Sequence, residues 1–231
     1  GLGYSFSMKY LESKQTPGSR DLVVFIHGLE ASKTDWITPG GFTSGGNLTA
    51  LLDEAGIPWA AADLYGHGDW HAVESEFDPS DISDELWDSF VSRSVEALNE
   101  MVLSYREKIP GCTLQLVSYS VGCVILTSYL AACPGVPVSA VHLASPVPQE
   151  SMDDEYSLHN NAGLFKNRKL YWHCGNHDEE NGEGEIDRVF ALIPSENKTL
   201  YRYDSGHALP VSWTRTAFRD ISASLVDSNG K

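Results

Sequence analysis

Apolar residues recur along this chain in two alternating patterns. Short, nearly solid apolar runs stand at Leu22–Ile26, Trp59–Ala62, Thr113–Val117, Val138–Ala144 and Leu170–Cys174, with a more mixed one at Thr199–Tyr203. Such runs suit strands covered on both faces. Between them lie longer amphipathic or apolar stretches that predict helices: Asn47–Ala55 (stopped by Gly56), Val121–Ala132, Ile186–Ile193 and Ser212–Val226. The longest, Asp84–Lys108, sets Leu86, Phe90, Ala97, Met101 and Tyr105 at helical spacing and ends before Pro110. Tyr4–Leu11 alternates with a period of two, as an additional strand would. Strands interleaved with helices imply crossover units, hence an α/β fold class: a mostly parallel central sheet with helices on both faces. Nothing breaks the alternation into two blocks, so residues 1–231 read as a single domain, and that length suffices to bury a sizeable core. The stretch of about 145–167 is a short cap or lid segment, with Met152, Tyr156, Leu158 and Phe165 available to roof one side of a site.

In open sheets of this class, ligands bind beyond the carboxyl ends of the strands. Directly after one predicted strand comes Ser118-Tyr119-Ser120-Val121-Gly122, which runs straight into an apolar helix. Small residues two before and two after Ser120 permit the sharp strand-to-helix turn that holds a serine clear of the sheet. A hydroxyl is a poor nucleophile until a base stands within hydrogen-bond reach. His207, in Asp204-Ser205-Gly206-His207, follows the last predicted strand and supplies that base. Asp178, in Gly175-Asn176-His177-Asp178, follows the strand before it and supplies the carboxylate that fixes the imidazole. Asp204 and Glu179 are rivals for this acid; Asp178 is preferred because Asp204 lies only three residues before His207. After the first solid run, Phe25-Ile26-His27-Gly28-Leu29-Glu30 places the Leu29 amide where, with the Val121 amide, it completes a two-donor oxyanion hole.

These motifs, with Asp63-Leu64-Tyr65-Gly66-His67-Gly68, resemble the α/β-hydrolase superfamily, particularly its small, lightly capped serine esterases and lipases. The resemblance runs from about residue 21 to 210 and implies nucleophile Ser120, acid Asp178, base His207, and oxyanion donors Leu29 and Val121. Ser118 departs from the glycine usual at that position; it is still small, so a slightly strained elbow is expected. The family hosts esterases, peptidases, thioesterases, lyases and receptors, so the resemblance alone does not fix the reaction. The reading adopted is a serine carboxylic-ester hydrolase working through an acyl-enzyme. An aminopeptidase or amidase is the nearest alternative, with a triad-retaining lyase, acyltransferase or non-hydrolytic receptor behind it. His67 is read as a loop brace, and His142 and His173 as packed residues with satisfied nitrogens. Glu30, Trp36, Tyr65 and Tyr119 lie next to motif residues and are the candidate substrate-binding side chains.

Charge narrows the partners. Lys and Arg total 16 against 32 Asp and Glu, a formal net charge of −16. Such a surface repels phosphate backbones, so no nucleic-acid partner is expected; the partner that the resemblance implies is a small-molecule ester. Acidic residues crowd two stretches, with eight carboxylates in 69–88 and six in 178–187. They read as solvated faces whose field disfavours anionic substrates. The second stretch fails the alternate-position pattern of a calcium loop. No His-Glu-x-x-His motif or paired cysteines are present, so neither a metal nor another cofactor is expected. Cys112, Cys123, Cys133 and Cys174 read as reduced, mostly buried thiols. No apolar run approaches a membrane span and no leader is visible, so a cytoplasmic setting is expected. Oligomeric state is not legible.

Overall fold

The computed structural model describes residues 10–13, 20–41, 43–72, 78, 80, 82–148 and 154–225. The expected strand over Tyr4–Leu11 falls mostly outside these residues, as does Met152 of the expected cap. Among the described residues seven strands form one sheet: β1 (Leu11–Glu12), β2 (Asp21–Ile26), β3 (Trp59–Ala62), β4 (Thr113–Tyr119), β5 (Val138–Ala144), β6 (Lys169–Gly175) and β7 (Lys198–Tyr203). Their order across the sheet is β1-β3-β2-β4-β5-β6-β7. Only the β1–β3 pairing is antiparallel; every other neighbour pair is parallel. The helices are α1 (Gly45–Glu54), α2 (Asp84–Lys108), α3 (Gly122–Ala132), α4 (Glu185–Leu192) and α5 (Ser212–Ala223).

The parity of β2 explains how one apolar run serves two cores. Side chains alternate faces along a strand. Leu22, Val24 and Ile26 therefore join the core beneath α2 and α3, whereas Val23 and Phe25 join the core beneath α1 and α5. All five are at most 1% exposed, each worth about 1.5–3 kcal/mol relative to exposure. α3 is apolar nearly all round because it is covered on most sides. In α2 the predicted stripe holds for Phe90, Ala97, Met101 and Tyr105, but Leu86, in the first turn, is exposed.

The face under α5 is less oily. Gln115 of β4 donates to the Ile221 carbonyl at 3.0 Å, and Tyr201 donates to Asp220 at 2.7 Å. His142 stacks on Tyr171 and His173 on Tyr201, with centroids 4.8 and 5.0 Å apart. The expectation that both histidines have satisfied nitrogens holds only in part. His173 Nδ1 meets the Tyr203 hydroxyl at 2.9 Å, but His142 Nδ1 and His173 Nε2 have no hydrogen-bond partner among the described residues. All four cysteines are free thiols. Among the described residues no helix is long and apolar enough to cross a membrane.

Candidate active site

The carboxyl ends of β2, β4, β5, β6 and β7 meet along one edge, and successive loops are tied to neighbouring strand ends. Ser120 N–H donates to the Ala144 carbonyl (3.0 Å), Ser145 N–H to His173 (2.8 Å), and Asn176 N–H to Tyr203 (2.8 Å). Ser120 occupies the turn between β4 and α3 with φ of 52°, a left-handed conformation that non-glycine residues adopt at a cost. Ser118, by contrast, is not among the positive-φ residues; it is fully buried in β4, and its Oγ donates to Cys123 Sγ at 3.1 Å. The expected strain therefore falls on Ser120 and not on Ser118.

Two glycines allow the loops to approach. A Cβ on Gly122 would lie 2.5 Å from the His27 carbonyl oxygen and 2.7 Å from that of Ile26, so the start of α3 packs directly on the end of β2. A Cβ on Gly175 would lie 2.1 Å from the Gly206 carbonyl oxygen, which lets the loop after β6 lie against the loop after β7. The residues predicted from three separate segments thereby converge. His207 Nε2 is 2.9 Å from Ser120 Oγ, and His207 Nδ1 is 2.9 Å from Asp178 Oδ2. A carboxylate only accepts, so the imidazole proton sits on Nδ1 and Nε2 is left to accept the Ser120 hydroxyl. The Asp178 side chain is fully buried and that of His207 is 22% exposed. Asp178 Oδ1 also accepts the Glu180 N–H at 3.1 Å. Asp204 faces outward and pairs with His177 at 2.9 Å.

Neither the Leu29 nor the Val121 amide donates a hydrogen bond among the described residues. Both flank Ser120: Val121 follows it in the chain, and a Cβ on the neighbouring Gly28 would be 3.2 Å from Ser120 Cβ. A cavity of about 500 Å³ opens over these groups. Glu30, Asp35 and Glu180 are on its walls, and no Lys or Arg is among the described residues lining it. Burial holds the Asp35 carboxyl above its ordinary value.

The four candidate substrate-binding residues separate. Glu30 lines the cavity. Tyr119 also reaches it, but its hydroxyl donates to the His207 carbonyl at 2.6 Å, and burial raises its pKa. Trp36 is a correction: it is fully buried, its ring 4.7 Å from that of Phe25, because the bend after β2 turns it into the core. Tyr65 is another, only 6% exposed, edge-on to Trp70 and hydrogen-bonded by Arg93. Leu158 and Phe165, expected to roof the site, likewise pack into the core beneath α3.

Two features escaped the sequence reading. Ser145, with φ of 45°, donates through Oγ to the same His207 carbonyl at 2.6 Å. It directly follows β5, so the strand-end rule that selected the other residues would have found it. The second is Lys33, whose buried ammonium pairs with Asp63 and lies 2.8 Å from Asp69. Burial alone would lower the Lys33 pKa, but its hydrogen bonds to Asp63 and Asp69 outweigh it and raise the pKa. Nothing in the spacing announces that cluster, because Lys33 lies 30 positions from Asp63 and 36 from Asp69.

No family model and no curated protein matches this chain. Solved structures do. An esterase from Pyrococcus furiosus superposes with a TM-score of 0.66 at 14% identity, over 96% of this chain and 93% of the other. Est1E from Butyrivibrio proteoclasticus, with ferulic acid bound, gives 0.66 at 12% identity over 94% and 95%. A monoacylglycerol lipase from Paleococcus ferrophilus gives 0.62 at 16% identity over 94% and 98%. At such identities the likeness speaks for architecture, and at that level it is plain: this chain has the α/β-hydrolase fold.

Proposed function

We propose that the chain is a serine hydrolase of carboxylic esters, acting through an acyl-enzyme. The observation that carries this reading is the continuous Ser120–His207–Asp178 hydrogen-bond chain opening into a cavity. His207 Nε2 takes the Ser120 proton as Oγ attacks the ester carbonyl, and the Asp178 carboxylate stabilises the imidazolium that results. The Leu29 and Val121 amides receive the developing oxyanion as preorganised donors. His207 then returns the proton to the leaving alcohol, and water repeats the sequence on the acyl-enzyme. The left-handed Ser120 fits this role, since strain at a nucleophile is a common mark of function. The neighbours named esterase and lipase support the same class of substrate.

Ser120→Ala is expected to remove hydrolysis of p-nitrophenyl butyrate by at least about 10³-fold with the melting temperature unchanged. Undiminished turnover in that variant ends the proposal. Glu30 favours one second reading, because an acidic side chain at the cavity wall suits a substrate ammonium; faster turnover of aminoacyl anilides than of esters selects an aminopeptidase instead.

A further inference from the structure

Two consecutive peptides in the loop after β2, Gly28–Leu29 and Leu29–Glu30, are each held by a histidine. His27 is fully buried; its Nδ1 is 2.7 Å from the Gly28 carbonyl oxygen and its Nε2 is 2.9 Å from the Leu64 amide nitrogen. An amide N–H only donates, so Nε2 keeps its lone pair and the ring proton is on Nδ1, donating to Gly28. The Gly28 carbonyl and the Leu29 N–H belong to one planar peptide, and in a trans peptide they point in opposite directions. Fixing the carbonyl against the buried imidazole therefore turns the Leu29 N–H to the other side, where the cavity lies. The following peptide is fixed too: Glu30 N–H donates to His67 Nε2 at 3.2 Å, while His67 Nδ1 is 2.9 Å from the Tyr65 carbonyl oxygen.

We infer that His27 is a positioning residue for ester hydrolysis. As the neutral Nδ1–H tautomer it latches the Gly28–Leu29 peptide so that the Leu29 amide is already aimed at the oxyanion before substrate arrives. The inference rests on the hydrolase reading and adds a residue to it. A flipped peptide would present the Gly28 carbonyl to the oxyanion in place of a donor. It would also leave His27 Nδ1–H buried without an acceptor, which disfavours the flip. The groups facing His27 are consistent with a neutral ring. His67 lies 5.3 Å away centroid to centroid, and Asp63 Oδ1 is 3.9 Å from Nε2 but is neutralised by Lys33. Burial depresses the His27 pKa to about 4, with the Gly28 hydrogen bond and Asp63 opposing and His67 and Lys33 assisting.

The test compares His27→Asn with His27→Leu. Asparagine places an N–H donor near the Nδ1 position and keeps the latch; leucine has no donor. For p-nitrophenyl butyrate, kcat is expected to fall about 10²–10³-fold in His27→Leu and no more than about tenfold in His27→Asn, with KM within about twofold in both. Affinity for an alkylboronic acid, bound as a tetrahedral anion, should fall in parallel with kcat. Equal losses in the two variants, an unchanged kcat in His27→Leu, or a change confined to KM overturns the inference. Nitrogen-15 spectra of the wild-type imidazoles, assigned by the signal lost in His27→Asn, provide a measurement independent of turnover and of the leucine variant's folding. A neutral Nδ1–H ring at pH 6 is expected for His27, and an Nε2–H ring refutes the latch. A wild type that hydrolyses no ester sinks the hydrolase proposal, whereas the tautomer judges the latch itself.

Discussion

Replacing Gly122 by alanine puts one methyl group between the Ser120 turn and the loop after β2. That Cβ would stand 2.5 Å from the His27 carbonyl oxygen and 2.7 Å from that of Ile26, where ordinary contact begins at 3.4 Å. Both obstacles are backbone at the end of a central strand, so no side chain can swing aside. The start of α3 must therefore withdraw by roughly 0.9 Å, and Ser120, two residues earlier, moves with it. Displacement of a reacting group by about 1 Å costs on the order of 10²-fold in rate. Overpacking costs about 1–3 kcal/mol of stability, offset in small part by the better helix propensity of alanine. The assay is kcat/KM for p-nitrophenyl butyrate alongside urea unfolding. Gly135→Ala, where a Cβ meets nothing within 4 Å, serves as the control. The expected result is about a 10²-fold loss for Gly122→Ala at a urea concentration of zero, where the variant is still folded, and none for Gly135→Ala. Activity within twofold of wild type in Gly122→Ala would show that the two loops need not touch as closely as they do, and the reasoning fails.

Three further outcomes follow from the same geometry. Asp178→Asn preserves the shape of the acid but turns an amide toward His207 Nδ1, so kcat should fall on the order of 10³–10⁴-fold with KM little changed; a loss below tenfold rejects Asp178 as the acid. His27 and His142 are both depressed to about 4 by burial, and His173 well below its ordinary value, so all three are neutral when folded. The unfolded chain binds more protons than the native one between about pH 6.5 and 4, so stability is complete above that window and declines as pH falls through it. Urea midpoints measured from pH 7 down to pH 5, above the range of ordinary carboxylates, should decrease; a flat profile contradicts neutral burial. Finally, Glu30, Asp35 and Glu180 at the cavity wall should make a p-nitrophenyl ester with an anionic acyl tail a poorer substrate than its neutral analogue, by about tenfold at low salt. That gap should narrow as ionic strength rises, and equal rates at all salt concentrations exclude the electrostatic account.

Strand runs such as Leu22–Ile26 were legible because burial on both faces leaves little room for polar residues, and the three candidate site residues were legible because each lies within four residues of the end of such a run. Side-chain destinations were harder to read. Trp36 and Tyr65 lie beside motif residues in sequence, yet the backbone turns each inward, and adjacency along a chain says little about direction after a bend. The aromatic and histidine layer under α5 was hidden for a related reason. Its members come from β5, β6 and β7, and their contacts depend on strand register that no single stretch of residues encodes. Lys33 with Asp63, and His27 with the Leu64 amide, are pairings of buried polar groups whose partners become apparent only once two loops are folded together.

The polar attachments of α5 reach further than their own contacts. Gln115 on the Ile221 carbonyl and Tyr201 on Asp220 give that helix a defined address along its axis, where a purely greasy interface would permit sliding by a turn. Only four residues separate His207 from the first residue of α5. The tether between the imidazole and this anchored helix is thus nearly taut, so insertions or deletions at 208–211 should be far less tolerated than changes of length in the loop between α4 and β7.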